Sequence, residues 1–448
     1  MGSEWQQVSI ESIATRIAMG PFGSDIKTDN FVNTGVPVIR GGNLTSGRFN
    51  PNGFVFLTDA KADSLMNANA FPGDLIFTHR GTLGQVGIVP AWFSPRYVVS
   101  QSQMKMTCDI TKADPNFVYY FFKSPLGQQA LLANTSQTGV PAISRPVTSL
   151  KAIHLGLPRL DEQRAIAHIL GTLDDKIELN RRMNATLEDM ARALFKDWFV
   201  DFGPVRAKMD GRAPYLPEEI WQLFPDWLNE EGKPDGWDVT SLGALTETIK
   251  GRSYKSAELV ESDTALVTLK SFARGGGYRP DGLKSFAGTY KPEQIVTPGE
   301  LVIACTDVTQ AAEIIGRPAI VRGTDGFRRL VASLDTLILR PRNSSVTRAF
   351  LYFLGGTEAF VAHTYAHTTG TTVLHLAKDA VPSFTFSRPS APLVQQFDAV
   401  ANPVLTLIQS FDEESRTLSQ LRDTLLPKLI SGEIRVSDAR AMVEEALA

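Results

Sequence analysis

The sequence predicts an α+β fold: two similar, mostly β domains separated by two long antiparallel coiled-coil helices, with pseudo-two-fold symmetry from an internal duplication. Three observations predict it. A proline-free helical stretch occupies residues 161–199, a unit of about 230 residues is repeated, and a second helical stretch follows the second copy. A chain of 448 residues is also too long for a single hydrophobic core.

The first helical stretch carries a coiled-coil pattern. It contains a single glycine, Gly171, and its apolar residues recur in alternating steps of four and three, which is typical of a coiled-coil seam. Two asparagines interrupt the apolar residues, and polar residues at such positions fix the register at some cost in stability. The predicted seam comprises Ile166, Leu170, Leu173, Ile177, Asn180, Asn184, Leu187, Ala191, Leu194 and Trp198.

The chain is duplicated internally. FPGDLIFT at 71–78 resembles TPGELVIA at 297–304, and aligning Gly139 with Gly370 gives an offset of 231 residues. Apolar β-branched runs punctuated by glycine predict short strands in both copies. The repeat also predicts a second long helix after the second copy.

The second helical stretch fulfils that expectation. A helix that starts after the second domain and buries its seam against the first helix has to run antiparallel to it. Pro403 is expected to bend this helix or to remove one hydrogen bond. The predicted seam comprises Val394, Phe397, Val404, Ile408, Phe411, Leu418 and Leu425.

These elements divide the chain into six segments. The segment between the first helix and the second β domain is rich in proline, glycine and tryptophan, too apolar for a free linker, so we expect it to pack on the helices or on a partner. The predicted segments are a first β domain (1–158), a central helix (159–200), the packed linker (201–235), a second β domain (236–388), a distal helix (389–432) and a C-terminal tail (433–448).

Composition is that of an ordinary globular protein, with 43% hydrophobic and 21% charged residues. No apolar run reaches the roughly 18 residues of a membrane helix, and the start lacks the features of a signal peptide. Cys108 and Cys305 are far apart without metal-site spacing, so buried free thiols are expected. We therefore expect a cytoplasmic protein.

Charge is segregated along the chain. Residues 1–160 carry 13 basic against 9 acidic side chains and residues 236–390 carry 17 against 14. The helical blocks are acidic, with 10 against 16 in 161–235 and 5 against 9 in 391–448. Only basic segments need to face a polyanion, so the net charge of −3 does not exclude nucleic acid. Two basic domains at a fixed separation indicate a reader of split DNA sites.

Motifs for catalysis are missing from the sequence. There is no phosphate-binding GxxxxGK[ST], no GxSxG and no HExxH. FPDWLNEEGK at 224–233 contains the letters of a nuclease site, but in a loop-like stretch. His363, His367 and His375 have no suitably placed carboxylate or cysteine, so no metal site is expected. The sequence predicts a protein that is not itself an enzyme.

Basic and amide residues in the glycine-rich turns are the candidates for DNA contact. Arginine and lysine hold phosphates or guanine, and glutamine can read adenine. The candidates are Lys27, Arg40, Arg48, His79, Arg80, Gln101, Gln103 and Arg145 in the first domain, and Lys250, Arg252, Lys255, Lys270, Arg274, Arg279, Arg328 and Arg329 in the second.

Two segments carry a family resemblance. LPRLDEQRAIAHILGTLDDKIELNRRMNATLEDMARALFKDWFVDF at 157–202 closely resembles the central conserved region of specificity subunits of type I restriction–modification enzymes, and 395–434 resembles their distal conserved region. FPGDLIFTHRGTLGQVGIVP at 71–90 is similar to a strand motif of their target-recognition domains. The resemblance implies two target-recognition domains, each reading one half of a bipartite, asymmetric DNA site, with the helices setting the spacer.

The resemblance also implies partners and cofactors. Specificity subunits dock two methylation subunits, which hold S-adenosylmethionine, and restriction (motor-nuclease) subunits, which use ATP and Mg²⁺. No cofactor or metal is expected on this chain, and double-stranded DNA is its ligand. The alternatives are a specificity subunit of a related restriction system whose partner fuses cleavage with methylation, a standalone DNA-modifying enzyme, and a coiled-coil scaffold. The sequence does not separate the first alternative from the main interpretation.

Overall fold

The computed structural model describes residues 5–23, 25–44, 49–50, 53–136, 139–309, 311–324 and 326–447. The chain forms two compact units, Met1–Arg181 with Glu414–Ala448, and Arg182–Glu413. The division differs from the predicted segments because it cuts both long helices near their middles. Each half-helix packs with one β-rich region, so neither helix is a separate domain.

Two helices of about 40 residues dominate the helical part of the chain. The α-helices are α1 (Ile10–Ile13), α2 (Asp59–Ser64), α3 (Pro115–Lys123), α4 (Pro125–Leu132), α5 (Pro146–Lys151), α6 (Leu160–Phe199), α7 (Gly203–Met209), α8 (Glu218–Trp221), α9 (Leu242–Leu245), α10 (Arg348–Gly355), α11 (Glu358–Ala366), α12 (Ala391–Ser431) and α13 (Val436–Leu447). Within the described residues, no helix combines the length and the apolar character needed to cross a membrane.

The first unit contains short strands in small sheets. Their orders are β2-β10-β7-β8, β3-β5-β4-β9-β6, β1-β13 and β11-β12. The strands are β1 (Gln6–Ser9), β2 (Ala14–Met19), β3 (Phe31–Val32), β4 (Val36–Ile39), β5 (Val55–Leu57), β6 (Asn69–Ala70), β7 (Leu75–Thr78), β8 (Val86–Ile88), β9 (Tyr97–Val99), β10 (Gln103–Cys108), β11 (Thr135–Ser136), β12 (Ala142–Ile143) and β13 (His154–Leu157).

The second unit repeats this arrangement. Its sheets have the orders β15-β23-β19-β21, β17-β16-β22-β18, β20-β25-β24 and β14-β26. The strands are β14 (Val239–Ser241), β15 (Thr246–Lys250), β16 (Thr264–Val267), β17 (Lys284–Ser285), β18 (Ile295–Val296), β19 (Leu301–Ala304), β20 (Thr306–Asp307), β21 (Pro318–Ile320), β22 (Arg329–Ala332), β23 (Thr336–Pro341), β24 (Thr368–Thr369), β25 (Leu374–Leu376) and β26 (Thr385–Ser387).

The two units share the same strand pairing, as the duplicated sequence predicts. The parallel pair β4 and β9 of the first unit recurs as β16 and β22 in the second, and β7 and β19 occupy the same central position in their sheets. In both copies a glycine follows the edge strand, β2 in the first unit and β15 in the second, because another stretch of backbone lies very close to it. A Cβ on Gly20 would lie 2.0 Å from the Ser100 carbonyl oxygen, and a Cβ on Gly251 would lie 2.0 Å from that of Ser333. Only glycine allows this approach of two backbones.

In the first unit, the beginning of α6 packs against the end of α12. Ile166, Leu170 and Leu173 belong to one buried cluster with Leu418 and Leu425. Polar contacts give the direction: the Arg422 guanidinium donates to Asp174 at 2.8 Å, and Asn180 Nδ2 donates to Glu414 at 2.7 Å and Ser415 at 3.3 Å. Residue numbers rise along one helix as they fall along the other, so these segments are antiparallel.

In the second unit, the end of α6 packs against the beginning of α12. Phe195 and Trp198 share a buried cluster with Val394 and Phe397. The predicted seam residues Ala191 and Trp198 are buried here, and Leu194 is half-buried against the same cluster. Phe195, which the pattern did not include, is buried as well. A straight helix drifts from a 3.5-residue repeat by roughly 20° per heptad, so a residue beside the predicted seam can join the buried face.

Half-burial also affects other predicted seam positions. Leu187, Asn184, Val404 and Phe411 are partly exposed, whereas Ile177, Ile408, Leu418 and Leu425 are buried. Asn184 Nδ2 donates to Asp412 at 2.7 Å. The middle of each helix is therefore held by polar contacts more than by apolar packing.

Pro403 lies inside α12, which continues through it from Ala391 to Ser431. A proline has no amide hydrogen, so the carbonyl of Ala399, four residues earlier, receives no helical hydrogen bond from it. The residue removes one hydrogen bond without ending the helix.

The segment after α6 packs on the end of that helix. The Trp198 ring lies 5.5 Å from the Phe224 ring between centroids, and the Phe199 ring lies 6.2 Å from that of Trp237. Lys208 fastens the segment by donating to the Phe224 carbonyl at 2.6 Å. Because these rings are buried together, the segment extends the core of the second unit.

Replacing Trp198 tests this shared core. Trp198→Ala removes a fully buried indole, and we expect a loss of about 3–5 kcal/mol in the free energy of unfolding. Urea denaturation followed by circular dichroism at 222 nm measures the change. Met190→Ala, on the same helix with 63% of the residue exposed, is the matched control and should change stability by less than about 0.5 kcal/mol. Equal effects of the two substitutions would contradict the packing described.

Candidate nucleic-acid interface

In the first unit, backbone hydrogen bonds gather several loops at one edge of the sheets. The His79 amide donates to Ser102 at 3.0 Å, where β7 ends and β10 begins. The Ser100 amide donates to Ile39 at the end of β4 at 2.9 Å. Because β2 also ends here, next to the start of β10, four strands present their connecting loops on the same side. We call this set of loops the first strand-end edge (residues 20–23, 40–44, 79–85 and 100–102).

A further loop joins this edge. The Ile143 amide donates to the His79 carbonyl at 2.9 Å, and Arg80 forms a bridge with Ala142. Arg145 follows two residues later with a positive φ of 45° and an exposed side chain. The segment 141–145 is thereby placed against the loop that carries Arg80.

Exposed basic and amide side chains meet at this edge. Arg40, Arg80 and Gln101 are all exposed there, and the Arg40 guanidinium donates to the Gly53 carbonyl at 2.6 Å. The segments 79–85, 100–102 and 139–145 contain no acidic residue. These three segments therefore present positive charge and amide groups with no carboxylate of their own. Lys27 is exposed between β2 and β3.

Two candidates face inward. His79 is 7% exposed, with Nε2 3.1 Å from the Gln101 carbonyl oxygen, and burial lowers the pKa of its imidazole. Gln103 is 1% exposed and donates to Thr78 at 3.3 Å. Both side chains support the loops and offer no surface for a base, a distinction that sequence could not make because burial depends on neighbouring strands. Arg48 lies outside the described residues.

One exposed aromatic residue at this edge was missed. Phe22 is 83% exposed, directly after β2, and its amide donates to Asp25 at 3.1 Å. The sequence offers one indication of this exposed position, because glycines precede and follow it in GPFG (residues 20–23).

The second unit builds a corresponding strand-end edge (residues 250–255, 268–271, 305–307 and 333–335). The Arg252 amide donates to Ala332 at 2.7 Å, the Ser333 amide to Val267 at 3.0 Å and the Leu376 amide to Cys305 at 2.8 Å. Lys250, Lys255 and Lys270 are exposed on these loops. Cationic side chains thus occupy this edge too.

Other candidates of the second unit have internal partners. Arg252 is half-buried, donates to the Thr289 carbonyl at 2.5 Å and pairs with Glu258 at 3.2 Å. Arg274 and Arg279 are exposed. They lie next to this edge, because the Arg279 amide donates to the Ser271 carbonyl at 2.8 Å. Each of the two also has an acidic neighbour within ion-pair distance, respectively Glu313 and Asp281.

Arg328 and Arg329 lie at the far end of the sheet. In the parallel pair of β16 and β22, Thr264 pairs with Arg329 and Val267 pairs with Ala332. Lys270 follows Val267, so the strand separates it from the arginine pair. These two candidates therefore lie apart from Lys270, which the sequence could not indicate because a turn sequence does not reveal at which end of a strand it lies.

The acidic residue of the repeated PGD/PGE motif supports the strands. Asp74 pairs with buried Lys105 at 3.2 Å. Glu300 pairs with Arg340 at 2.7 Å and accepts the Thr297 amide at 2.7 Å. Burial opposes ionisation of Glu300, but these partners prevail and lower the pKa of its carboxyl.

The histidines, carboxylates and cysteines of the described residues form no metal-binding cluster, and the cysteines are free. No group of three or more histidine, cysteine, aspartate or glutamate side chains is placed to hold a metal there. His363 Nε2 lies 2.9 Å from the Ala380 carbonyl oxygen, as a structural contact. Cys108 and Cys305 are free, and burial raises the pKa of each thiol to about 12.

The pair of Glu300 and Arg340 gives a prediction of pH dependence. Because the folded-state pKa of Glu300 is below its ordinary value of 4.5, its stabilisation is present above pH 4.5 and is lost as the pH falls through the folded-state pKa. Arg340→Met should cost about 1.5–3 kcal/mol at pH 7, and the difference from wild type should shrink as Glu300 becomes protonated.

Urea denaturation at pH 7 and at several values below pH 4.5 measures this effect. Arg328→Met removes an exposed arginine 3.9 Å from Asp263 and is the control, with no expected change at either pH. A loss for Arg340→Met that stays constant with pH would show that the carboxylate is not the source.

Comparisons with known proteins agree with this geometry. Residues 2–189 match the type I restriction modification DNA specificity domain. The chain is 24% identical to the specificity subunit of the type I restriction enzyme HindI of Haemophilus influenzae, over 75% of this chain and 81% of the relative. It is 23% identical to the MjaIX specificity subunit of Methanocaldococcus jannaschii, over 84% and 82%.

A solved structure shows the same fold. The S subunit of the type I restriction–modification system of M. genitalium matches with a TM-score of 0.53 at 16% identity, covering 95% of this chain and 96% of that chain. In its matched domain, in its relatives and in its paired long helices, the chain is similar to specificity subunits of type I restriction–modification enzymes.

Proposed function

We propose that this chain is the DNA-reading subunit of a type I restriction–modification complex. Each strand-end edge reads one half of a bipartite, asymmetric DNA site, and the pair of α6 and α12 sets the spacer between the halves. The observation that carries the proposal is the duplicated edge, where backbone hydrogen bonds hold cationic and amide side chains together without acidic residues on the main loops of the first unit.

The side chains at the first edge suit both kinds of DNA contact. Arg80 and Gln101 are exposed on adjoining loops, since the carbonyl of Gln101 contacts His79 at 3.1 Å. Arginine binds the two acceptors of guanine in the major groove, and glutamine binds adenine in the same bidentate way. Arg40 and Arg145 on the flanks suit phosphates, which position the protein without reading sequence.

The two edges are expected to read different half-sites. The amide of Arg40 donates to Asn43 at 2.8 Å, and at the matching place the amide of Thr268 donates to Ser271 at 3.1 Å. Likewise, Arg80 in the first unit corresponds to Thr306 in the second, because each bridges the same following hairpin. Arg40 and Arg80 are exposed, whereas the matching Thr268 and Thr306 are buried. The framework is therefore repeated while the exposed side chains differ, which supports an asymmetric site.

Catalysis and cofactors are proposed to belong to partners. Two methylation subunits would hold S-adenosylmethionine, and restriction subunits would use ATP and Mg²⁺, with no cofactor on this chain. The exposed acidic side chains of α6, among them Glu178 and Asp189, support protein docking at those positions of the helix. A complex that modifies chromosomal DNA acts in the prokaryotic cytoplasm, where we place this chain.

Arg80→Gln tests direct reading by the first edge. If Arg80 contacts a base, affinity for the specific site should fall by about 1–3 kcal/mol, and one position of the first half-site should become degenerate. The measurement is mapping of methylated adenines in cells that carry the variant with its methylation subunits, together with binding of the purified complex to duplex DNA.

Arg328→Gln is the matched control, because that arginine is exposed at the opposite end of its sheet. It should leave both half-sites unchanged. An unchanged first half-site for Arg80→Gln, with the second half-site also intact, would exclude Arg80 from base reading.

Lengthening both helices tests whether α6 and α12 set the spacer between the half-sites. One added turn of four residues after Asn180 in α6, with a matching turn before Glu414 in α12, adds about 6 Å at 1.5 Å per residue and keeps the residues of each unit in contact with one another. The spacer in the methylated site should lengthen by about two base pairs, with both half-sites retained. An unchanged spacer in a complex that still methylates DNA would refute the role of the helices.

A further inference from the structure

Two arginines outside the predicted set meet beside the second strand-end edge. Arg317 directly precedes β21, which pairs antiparallel with β19, and its carbonyl accepts the Ala304 amide at 3.1 Å. Ala304 is the last residue of β19, next to Cys305 of the edge. The backbone of Arg317 is therefore fixed where the loops of the second unit begin.

Arg192 approaches the same place from α6. Its Nη1 lies 2.7 Å from the position that a Cβ on Gly356 would occupy, and a Cβ on Gly355 would lie 3.2 Å from Pro318. The two glycines end α10 and leave room for the arginine beside the residue that follows Arg317. A long helix and the β domain thus each supply one guanidinium to one place within the second unit.

One carboxylate beside Arg192 is shared between two guanidinium groups. Arg192 pairs with Glu188 at 2.7 Å. Arg322 lies 3.7 Å from the same Glu188 and 3.1 Å from Asp412. Arg192 and Arg322 therefore share Glu188, and Arg317 has no ion pair with any described residue.

Arg317 also has an unused donor. Its Nε is buried and has no hydrogen-bond partner among the residues described. Burial, and then the charge of Arg192, lower the pKa of the Arg317 guanidinium. A buried donor without a partner and a neighbouring like charge both cost free energy, and an anion would relieve both.

We propose that Arg192 and Arg317 together bind a backbone phosphate of the DNA next to the half-site read by the second unit. This inference rests on the proposed function. A guanidinium fork matches phosphate geometry better than an ammonium does. A Cβ on Gly276 would lie 3.8 Å from Arg317 Cβ, so the position adjoins the loop of exposed Arg274, which favours DNA over an acidic protein partner. α6 then contributes directly to DNA binding as well as to the spacer.

Arg317→Gln tests the phosphate contact. The complex with its methylation subunits is titrated with a duplex that carries the methylated site found in cells and with a duplex of unrelated sequence, from about 50 to 200 mM salt. Loss of one phosphate contact should weaken binding to both duplexes by a similar factor, about 3- to 10-fold at low salt, and reduce the slope of log K against log salt by about one. The methylated sequence should not change.

Two further variants make the test specific. Arg317→Lys keeps the charge and should restore most of the salt slope, whereas Arg328→Gln, at the far end of β22, should not alter it. An unchanged slope for Arg317→Gln would overturn the inference. A loss of methylation-subunit binding with a normal slope would also overturn it, because the arginines would then serve an acidic protein surface.

Failure of the inference is distinguishable from failure of the proposed function. If the wild-type complex binds its site and Arg317→Gln keeps the full salt slope, only the phosphate contact is wrong. If the wild-type complex shows no preference for a sequence, the proposed function itself fails.

Discussion

The antiparallel burial of α6 against α12 is the contact on which the remaining structure depends. Each helix contributes one half to each compact unit, so both β-rich regions are built onto the same two helices. Apolar packing is strongest towards the ends, around Leu170 with Leu425 and around Phe195 with Phe397. The middle is polar instead: Asn180 and Asn184 donate to carboxylates of α12, while their side-chain oxygens have no described partner. Such contacts favour one register at some expense of stability.

The contacts that hold the loops in place are distinct from the exposed side chains that the loops carry. The strand-end edges are assembled by backbone hydrogen bonds and by close approaches at Gly20 and Gly251, none of which requires a particular exposed side chain. Residues at matching places can therefore differ between copies, as exposed Arg40 and buried Thr268 do, while the loops stay in place. Buried polar residues such as His79 and Gln103 belong to the framework although they look like recognition residues in sequence.

Charged residues are divided in the same way between the interior and the exposed loops. The net charge of −3 is uninformative because many carboxylates are engaged inside the protein. Asp74 and Glu300 neutralise cations within the sheets, and Glu188 and Asp412 do so beside the long helices. At the first edge, the exposed charged side chains of Arg40 and Arg80 remain positive. Arg317, which has no ion pair among the described residues, differs from these neutralised pairs.

The sequence by itself determined the two long helices, the duplication and the mixed α and β content, because hydrophobic periodicity and repeated motifs are local properties of a chain. It also identified the loops that carry Arg80, Gln101 and Lys270. Only the tertiary structure decided which candidates are exposed, that Phe195 joins the buried face, and that Arg329 lies at the opposite end of its strand from Lys270. It alone brought Arg192 and Arg317 together across 125 positions of sequence. Burial and proximity depend on strand register and helix packing, which no local pattern encodes.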